Sequence, residues 1–115
     1  MKKKIPVKIN PIMEEVKNKL REIYGNRLKS IILYGSYARG NADEGSDIDL
    51  IILLENMDKP VTEMEKYSRE IHSIDLEYDT LISAIPIDAS QYRTRKLPLI
   101  LNAKREGIIF YERAE

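Results

Sequence analysis

Leu33-Tyr34-Gly35-Ser36-Tyr37-Ala38-Arg39-Gly40, followed by Ser46-Asp47-Ile48-Asp49-Leu50-Ile51, decides how this chain reads. An apolar strand runs into a Gly-Ser turn. After ten further residues, two aspartates separated by one position open a second apolar strand. Side chains at i and i+2 of a strand share a face, so Asp47 and Asp49 set two carboxylates side by side, where a metal ion would bridge them. The turn at Gly35 and Ser36 supplies what a carboxylate pair lacks: backbone N–H groups and a hydroxyl suited to phosphate oxygens. Together they read as a site for a metal-bound nucleoside triphosphate.

Outward from this motif, the pattern predicts one α/β (α+β) domain over residues 1–115, with a mixed central sheet flanked by helices. Asn10-Pro11 reads as a helix N-cap with proline at the first helical position, and Ile12, Val16, Leu20 and Ile23 recur at helical spacing until Gly25. Leu28 to Tyr34 is the first strand, Tyr37 to Ala42 a helical turn, and Asp47 to Leu54 the second strand. The unbroken Leu50–Leu54 run predicts burial on both faces. A second helix starts at Asp58-Lys59-Pro60 and ends near Ser73 to Leu76. Glu77 to Pro86 then forms a third strand. Asp88 and Gln91 suggest a capping box, Pro98 to Glu106 a last helix, and Ile108 to Tyr111 a final strand.

Composition narrows the function. With 115 residues there is room for a single core. No stretch approaches the roughly 20 apolar residues of a membrane span. Lys2-Lys3-Lys4 is not followed by the apolar run of a signal peptide, so the expectation is a cytoplasmic protein. The absence of cysteine excludes disulfides and thiolate metal sites, leaving oxygen ligands and the single His72. Nineteen basic and nineteen acidic residues cancel, which argues against strong non-specific nucleic-acid binding.

A third carboxylate completes the expected site. Aspartate is depleted in strands, yet Asp79 sits within Tyr78-Asp79-Thr80-Leu81-Ile82, a segment otherwise suited to a buried strand. Beside the second strand, Asp79 would join Asp47 and Asp49. Three such charges repel unless cations neutralise them, and Mg²⁺, a hard ion that shares its sphere with phosphates and water, is the natural partner. Two such ions would activate an attacking oxygen and stabilise the leaving pyrophosphate. Asp75 and Glu77 compete for the same role, Asp75 at the helix exit and Glu77 nearer the strand start.

The pattern Gly35-Ser36-x10-Asp47-x-Asp49, with a later strand aspartate, resembles the nucleotidyltransferase superfamily related to DNA polymerase β. More closely, the chain is similar to the minimal nucleotidyltransferase (MNT) antitoxins encoded beside HEPN-domain toxins, from the helix at Asn10 to the tail at Tyr111. The resemblance implies that Gly35 allows close backbone approach to the triphosphate and that Ser36 holds its phosphate oxygens. It further implies that Arg39, in Ala38-Arg39-Gly40, contacts phosphate through its cationic fork. Asp47 and Asp49 would bind metal, and Asp79 would be the third ligand or the base for the acceptor hydroxyl. Such antitoxins transfer AMP from ATP to a tyrosine of the HEPN ribonuclease and so silence it. This chain lacks the toxin's Arg-x4-His-x-Tyr motif, so the toxin would be a separate partner in a hetero-oligomer.

Two rival readings stand beside this one. One keeps the chemistry and changes the acceptor to a small molecule or an RNA end. The other is a non-catalytic antitoxin that neutralises its partner by stoichiometric binding. Several residues have plainer readings: Tyr37 as a packing residue, Ser46 as a loop cap, and His72 on a solvated helix face. Arg93, Arg95, Lys96, Lys104 and Arg105 read as a solvated basic face. Leu97, Leu99, Ile100 and Leu101 read as an apolar patch available to a partner.

Overall fold

A computed structural model describes residues 4–114; Lys2 and Lys3 of the N-terminal lysine run lie outside the described residues. Among the described residues five α-helices and four strands follow one another as α1 (Asn10–Tyr24), β1 (Leu28–Tyr34), α2 (Ser36–Arg39), β2 (Ile48–Leu54), α3 (Pro60–Tyr78), β3 (Ile82–Asp88), α4 (Ala89–Thr94), α5 (Pro98–Glu106) and β4 (Ile108–Glu112). The sheet order is β3-β2-β1-β4. β1 is antiparallel to both β2 and β4, whereas β2 and β3 run parallel, joined by α3. The sheet is therefore mixed, as the sequence predicts. Among the described residues no helix is long and apolar enough to cross a membrane.

Strand alternation divides the core. Leu50, Ile52 and Leu54 pack with Ile31 and Leu33 under α1 and α3, where Met13, Val16, Leu20, Tyr67, Ile71 and Ile74 close the larger cluster. The intervening Ile51 and Leu53 point to the opposite face and meet Ile32 and Ala103, with Tyr34, Tyr92 and Leu99 at the margin. The Leu50–Leu54 run is thus buried on both faces. Asp49 has the parity of Ile51, so it belongs to the thinly covered second face.

The helix α3 outruns its expected end. Its apolar stripe of Tyr67, Ile71 and Ile74 continues one turn further to Tyr78, which packs against the larger cluster. Asp79 follows as the C-cap, in the left-handed conformation at φ 51°, ψ 54°, with its N–H donating to Asp75 O. A short polar side chain tolerates that conformation. The third strand accordingly starts at Ile82 instead of Glu77, and it runs on to Asp88. Asp88 caps α4 through Ser90 N–H and also accepts from Met57 N–H at 3.0 Å. Gln91 turns its side chain to Arg95 at 3.1 Å, so the capping box is only half made.

One buried ion pair fixes the start of α3. Glu63 is fully buried, with Oε2 2.6 Å from Arg27 Nη2 and 3.0 Å from Asp58 N, and Oε1 3.2 Å from Lys66 Nζ. Burial pushes this carboxyl up, but the hydrogen bonds from Arg27, Asp58 and Lys66 outweigh it and pull the pKa down to about 2.

Candidate active site

Gly35 ends β1 with φ 76°, a conformation that favours glycine. Across the sheet Tyr34 pairs with Asp49, which brings the Asp49 side chain against the glycine. A Cβ at Gly35 would lie 3.2 Å from Asp49 Cγ, 3.3 Å from its Cβ and closer still to Oδ2. The missing side chain is therefore the space in which the Asp49 carboxylate sits. Ser36 opens α2. Ala38 N–H and Arg39 N–H both donate to Gly35 O, at 3.1 and 3.0 Å. The N–H groups of Ser36 and Tyr37, at the first positions of the helix, have no intrahelical acceptor.

The loop that follows organises itself. Ser46 N–H donates to Asp43 O, Gly45 N–H to Asp43 Oδ1, and Asp43 N–H to Ser46 Oγ, all between 2.9 and 3.1 Å. Ser46 is thus a loop cap. This loop delivers Asp47, exposed, one residue ahead of β2. Asp47 and Asp49 share parity and stand together at the Gly35 end of the sheet. Their proximity is visible in their electrostatics. Burial is the main force raising the Asp49 carboxyl above its ordinary pKa, the Asp47 charge adds to it, and the Arg39 guanidinium opposes both. Arg39 also reaches Glu106 Oε1 at 3.3 Å. Burial and the neighbouring Asp49 together raise the Tyr34 hydroxyl.

Asp79 does not join this pair. It is the exposed cap of α3, outside the sheet, because the helix consumes the residues expected to begin the strand. The register instead sets Ser83 beside Asp49 on β3. Asp75 is the carboxylate that approaches from α3. Its Oδ1 accepts from Ile82 N–H at 2.9 Å, and its pKa is raised first by burial and also by the charge of Asp47. Among the described residues no group of three or more Asp, Glu or His side chains is arranged to hold a metal ion. Asp47 and Asp49 nevertheless fit a hard divalent cation. They are oxygen donors, and a cation would offset both the burial and the Asp47 charge that raise the Asp49 carboxyl.

A groove of about 740 Å³ starts at Asp47 and runs between β3 and α3, past Ser68, His72, Asp75 and Ser83. His72 thus stands exposed on the groove wall near Asp75. A separate cleft of about 580 Å³, between the N-terminal segment and β4, contains none of the site residues. The basic residues of α4 and α5 are dispersed. Lys104 lies 5.1 Å from the Tyr92 ring and donates to Arg93 O, and Arg105 bonds Asn102. The suspected apolar patch is split by helical periodicity: Ile100 is 2% exposed, whereas Leu97 and Leu101 are 44% and 45% exposed.

Comparison with known proteins agrees with this geometry. The profile of the nucleotidyltransferase domain family matches residues 13–107. Two proteins of Methanocaldococcus jannaschii, each named "Putative protein adenylyltransferase", are similar in sequence. One is 35% identical over 107 residues, covering 91% of this chain and 73% of the relative. The other is 39% identical over 79 residues, covering 69% and 79%. In fold, the chain resembles the crystal structure of a "putative nucleotidyltransferase" from Sulfolobus solfataricus, with a TM-score of 0.69 at 18% identity, covering 93% of this chain and 83% of that one. It also resembles the crystal structure of a "toxin-antitoxin with AMP-PNP", with a TM-score of 0.64 at 19% identity, covering 87% and 73%. The Gly-Ser turn locked against an Asp-x-Asp strand and the family match over most of the chain lead to one assignment: this protein is an enzyme of the nucleotidyltransferase domain family.

Proposed function

We propose that this enzyme transfers AMP from ATP to a tyrosine hydroxyl of a separate protein, a HEPN ribonuclease toxin, and so serves as its antitoxin in the cytoplasm. The observation that carries the reading is the seating of the Asp49 carboxylate against Gly35, which ties the phosphate-sized turn to the carboxylate pair. The names of the M. jannaschii relatives support a protein acceptor, and the AMP-PNP bound in the toxin–antitoxin neighbour supports ATP as donor.

In this reading, Ser36 Oγ and the N–H groups at the start of α2 hold phosphate oxygens, with Gly35 giving the backbone close approach. Arg39, already within the field of Asp49, contacts the phosphates. Asp47 and Asp49 would hold Mg²⁺, two ions being expected, as oxygen donors that suit a hard cation. When bound, the metal neutralises triphosphate charge and favours the ionised acceptor hydroxyl. The tyrosine oxygen forms a bond to the α-phosphorus as the bond from that phosphorus to the bridging oxygen breaks. Pyrophosphate leaves with the bonding pair, and the phenolic proton is released. Alignment and charge neutralisation carry most of the acceleration.

Co-expression of this chain with a candidate HEPN protein from the same genome, followed by mass spectrometry of that protein, tests the proposal. Mass increments of one or more AMP units, absent with the Asp47→Ala/Asp49→Ala variant, are expected. A partner that is neutralised yet unmodified overturns it in favour of stoichiometric binding.

A further inference from the structure

Among the described residues β3 has no strand beyond it, and side chains of α3 reach its edge. The backbone groups of Leu81 and Ser83 face β2, as the Ile48 N–H to Leu81 O bond at 2.9 Å requires. By alternation those of Ile82, Ala84 and Pro86 face outward. Three of these outward groups are already closed. Asp75 takes Ile82 N–H at 2.9 Å, the Tyr67 hydroxyl donates to Ala84 O at 2.9 Å, and Pro86 has no N–H. A full strand therefore cannot add here. Between the closures, Ile82 C=O and Ala84 N–H point outward together, the acceptor and donor that a single extended residue would pair with.

This seat lies in the groove that begins at Asp47. Its walls combine the half-exposed Met64 and the exposed Leu81 with the polar Ser68 and Ser83. Methionine sulfur and aliphatic surface suit an aromatic ring, and polar groups along the same walls suit a phenol. A volume of about 740 Å³ accommodates one aromatic side chain together with its flanking backbone. Asp49, held at Gly35, and Asp47, at the head of the groove, place the phosphate turn and the groove on either side of the carboxylate pair. An in-line transfer needs the attacking oxygen and the departing pyrophosphate oxygen on opposite sides of the α-phosphorus.

Building on the adenylyl-transfer reading, we propose that the β3–α3 groove is the acceptor site and takes one extended tyrosine residue of the acceptor protein. The tyrosine backbone pairs with Ile82 C=O and Ala84 N–H, and its hydroxyl lies at Asp47. Recognition is thus limited to one residue and its immediate flanks, with the rest of the acceptor surface free to vary.

The test uses the whole chain with N-acetyl-L-tyrosinamide as probe, in the presence of Mg²⁺ and a non-hydrolysable ATP analogue. NMR titration should shift the Ser68, His72, Ser83 and Ala84 amides, and N-acetyl-L-phenylalaninamide should shift them at least about tenfold more weakly. Ser68→Trp, which fills the groove from the exposed side of α3, should abolish these shifts while leaving the affinity for the ATP analogue within twofold. Met64→Lys, a smaller intrusion at the same wall, serves if the tryptophan variant does not fold. Absence of shifts in the groove, or shifts that persist in the filled variant, overturns the acceptor site. Failure of the underlying reading looks different: the probe would still bind the groove, but ATP with Mg²⁺ would yield no AMP-tyrosine. Conversely, AMP transfer to tyrosine at an unchanged rate in the filled variant would leave the chemistry standing and overturn the groove.

Discussion

The Asp49 carboxylate occupies the volume that a side chain on Gly35 would fill, so each of these two residues defines the shape of the other's surroundings. Gly35→Ala should therefore fail twice over. The left-handed backbone at φ 76° resists a Cβ, and the Cβ displaces Asp49. The expected cost is about 1–3 kcal/mol in urea unfolding, together with loss of ATP-analogue binding. Gly25→Ala is the control. It has φ 54° but nothing within 4 Å of a Cβ, so it should suffer the backbone strain alone and keep its activity.

Asp49→Asn separates chemistry from stability. The folded-state pKa of Asp49 is raised, so the folded protein binds more protons than the unfolded chain between the two values. Stability from this group is greatest below the unfolded pKa and declines as pH rises through the folded one. Asparagine removes that decline. The variant should unfold no more easily than the parent at pH 7, yet its transferase activity should fall by at least about 10²-fold. Chelation by EDTA should abolish transfer in the parent and excess Mg²⁺ should restore it.

Glu63 sets the opposite pH dependence. Its pKa is lowered from 4.5 to about 2, so its contribution is fully present above about 4.5 and is lost as pH falls from there toward 2. Because Arg27 is about one-third exposed, solvent screens the pair, and the stabilisation at stake is about 1–3 kcal/mol. Acid titration of thermal unfolding should show this loss in the parent. It should be absent in Glu63→Gln, which should also be less stable at neutral pH, since Arg27 is left without its carboxylate.

At the third carboxylate, Asp79→Asn should leave transfer within about twofold of the parent, because asparagine also tolerates the left-handed cap that this residue forms. Asp75→Ala should behave differently. It leaves Ile82 N–H without its acceptor and should cost about 1–3 kcal/mol of stability by denaturant titration. Abolished transfer in Asp79→Asn would restore that residue to the site.

The difference between these two aspartates explains what the sequence disclosed and what it withheld. Gly35, Ser36, Asp47 and Asp49 are legible because their meaning is local: a turn, a strand start and a two-residue parity. The central strand is legible because only a sheet buried on both faces sustains Leu50–Leu54. Tyr78-Asp79-Thr80-Leu81-Ile82 has strand composition, but Tyr78 also completes a helical stripe with Tyr67, Ile71 and Ile74. Packing under α1 decides in favour of the helix, and that preference depends on residues more than fifty positions away. The same is true of Glu63, which on an exposed-looking helix start gives no sign of the distant Arg27 that allows its burial. The groove is equally non-local, since β3 and α3 line it together with Asp47.

The pairing of Tyr34 with Asp49 has a consequence for how such a site can change over time. The two halves of the motif meet because adjacent antiparallel strands hold them in register, while the connecting loop is knotted up by its own Asp43 and Ser46 contacts. The loop is then a slack tether. Inserting residues between Gly40 and Asp43 would lengthen it without moving either half, whereas deleting one residue from β2 between Asp49 and the core run would leave the carboxylates and the core side chains out of phase with each other. Distance along the chain between the glycine and the first aspartate is therefore free to drift, and the quantity under constraint is the odd-even phase of the second strand.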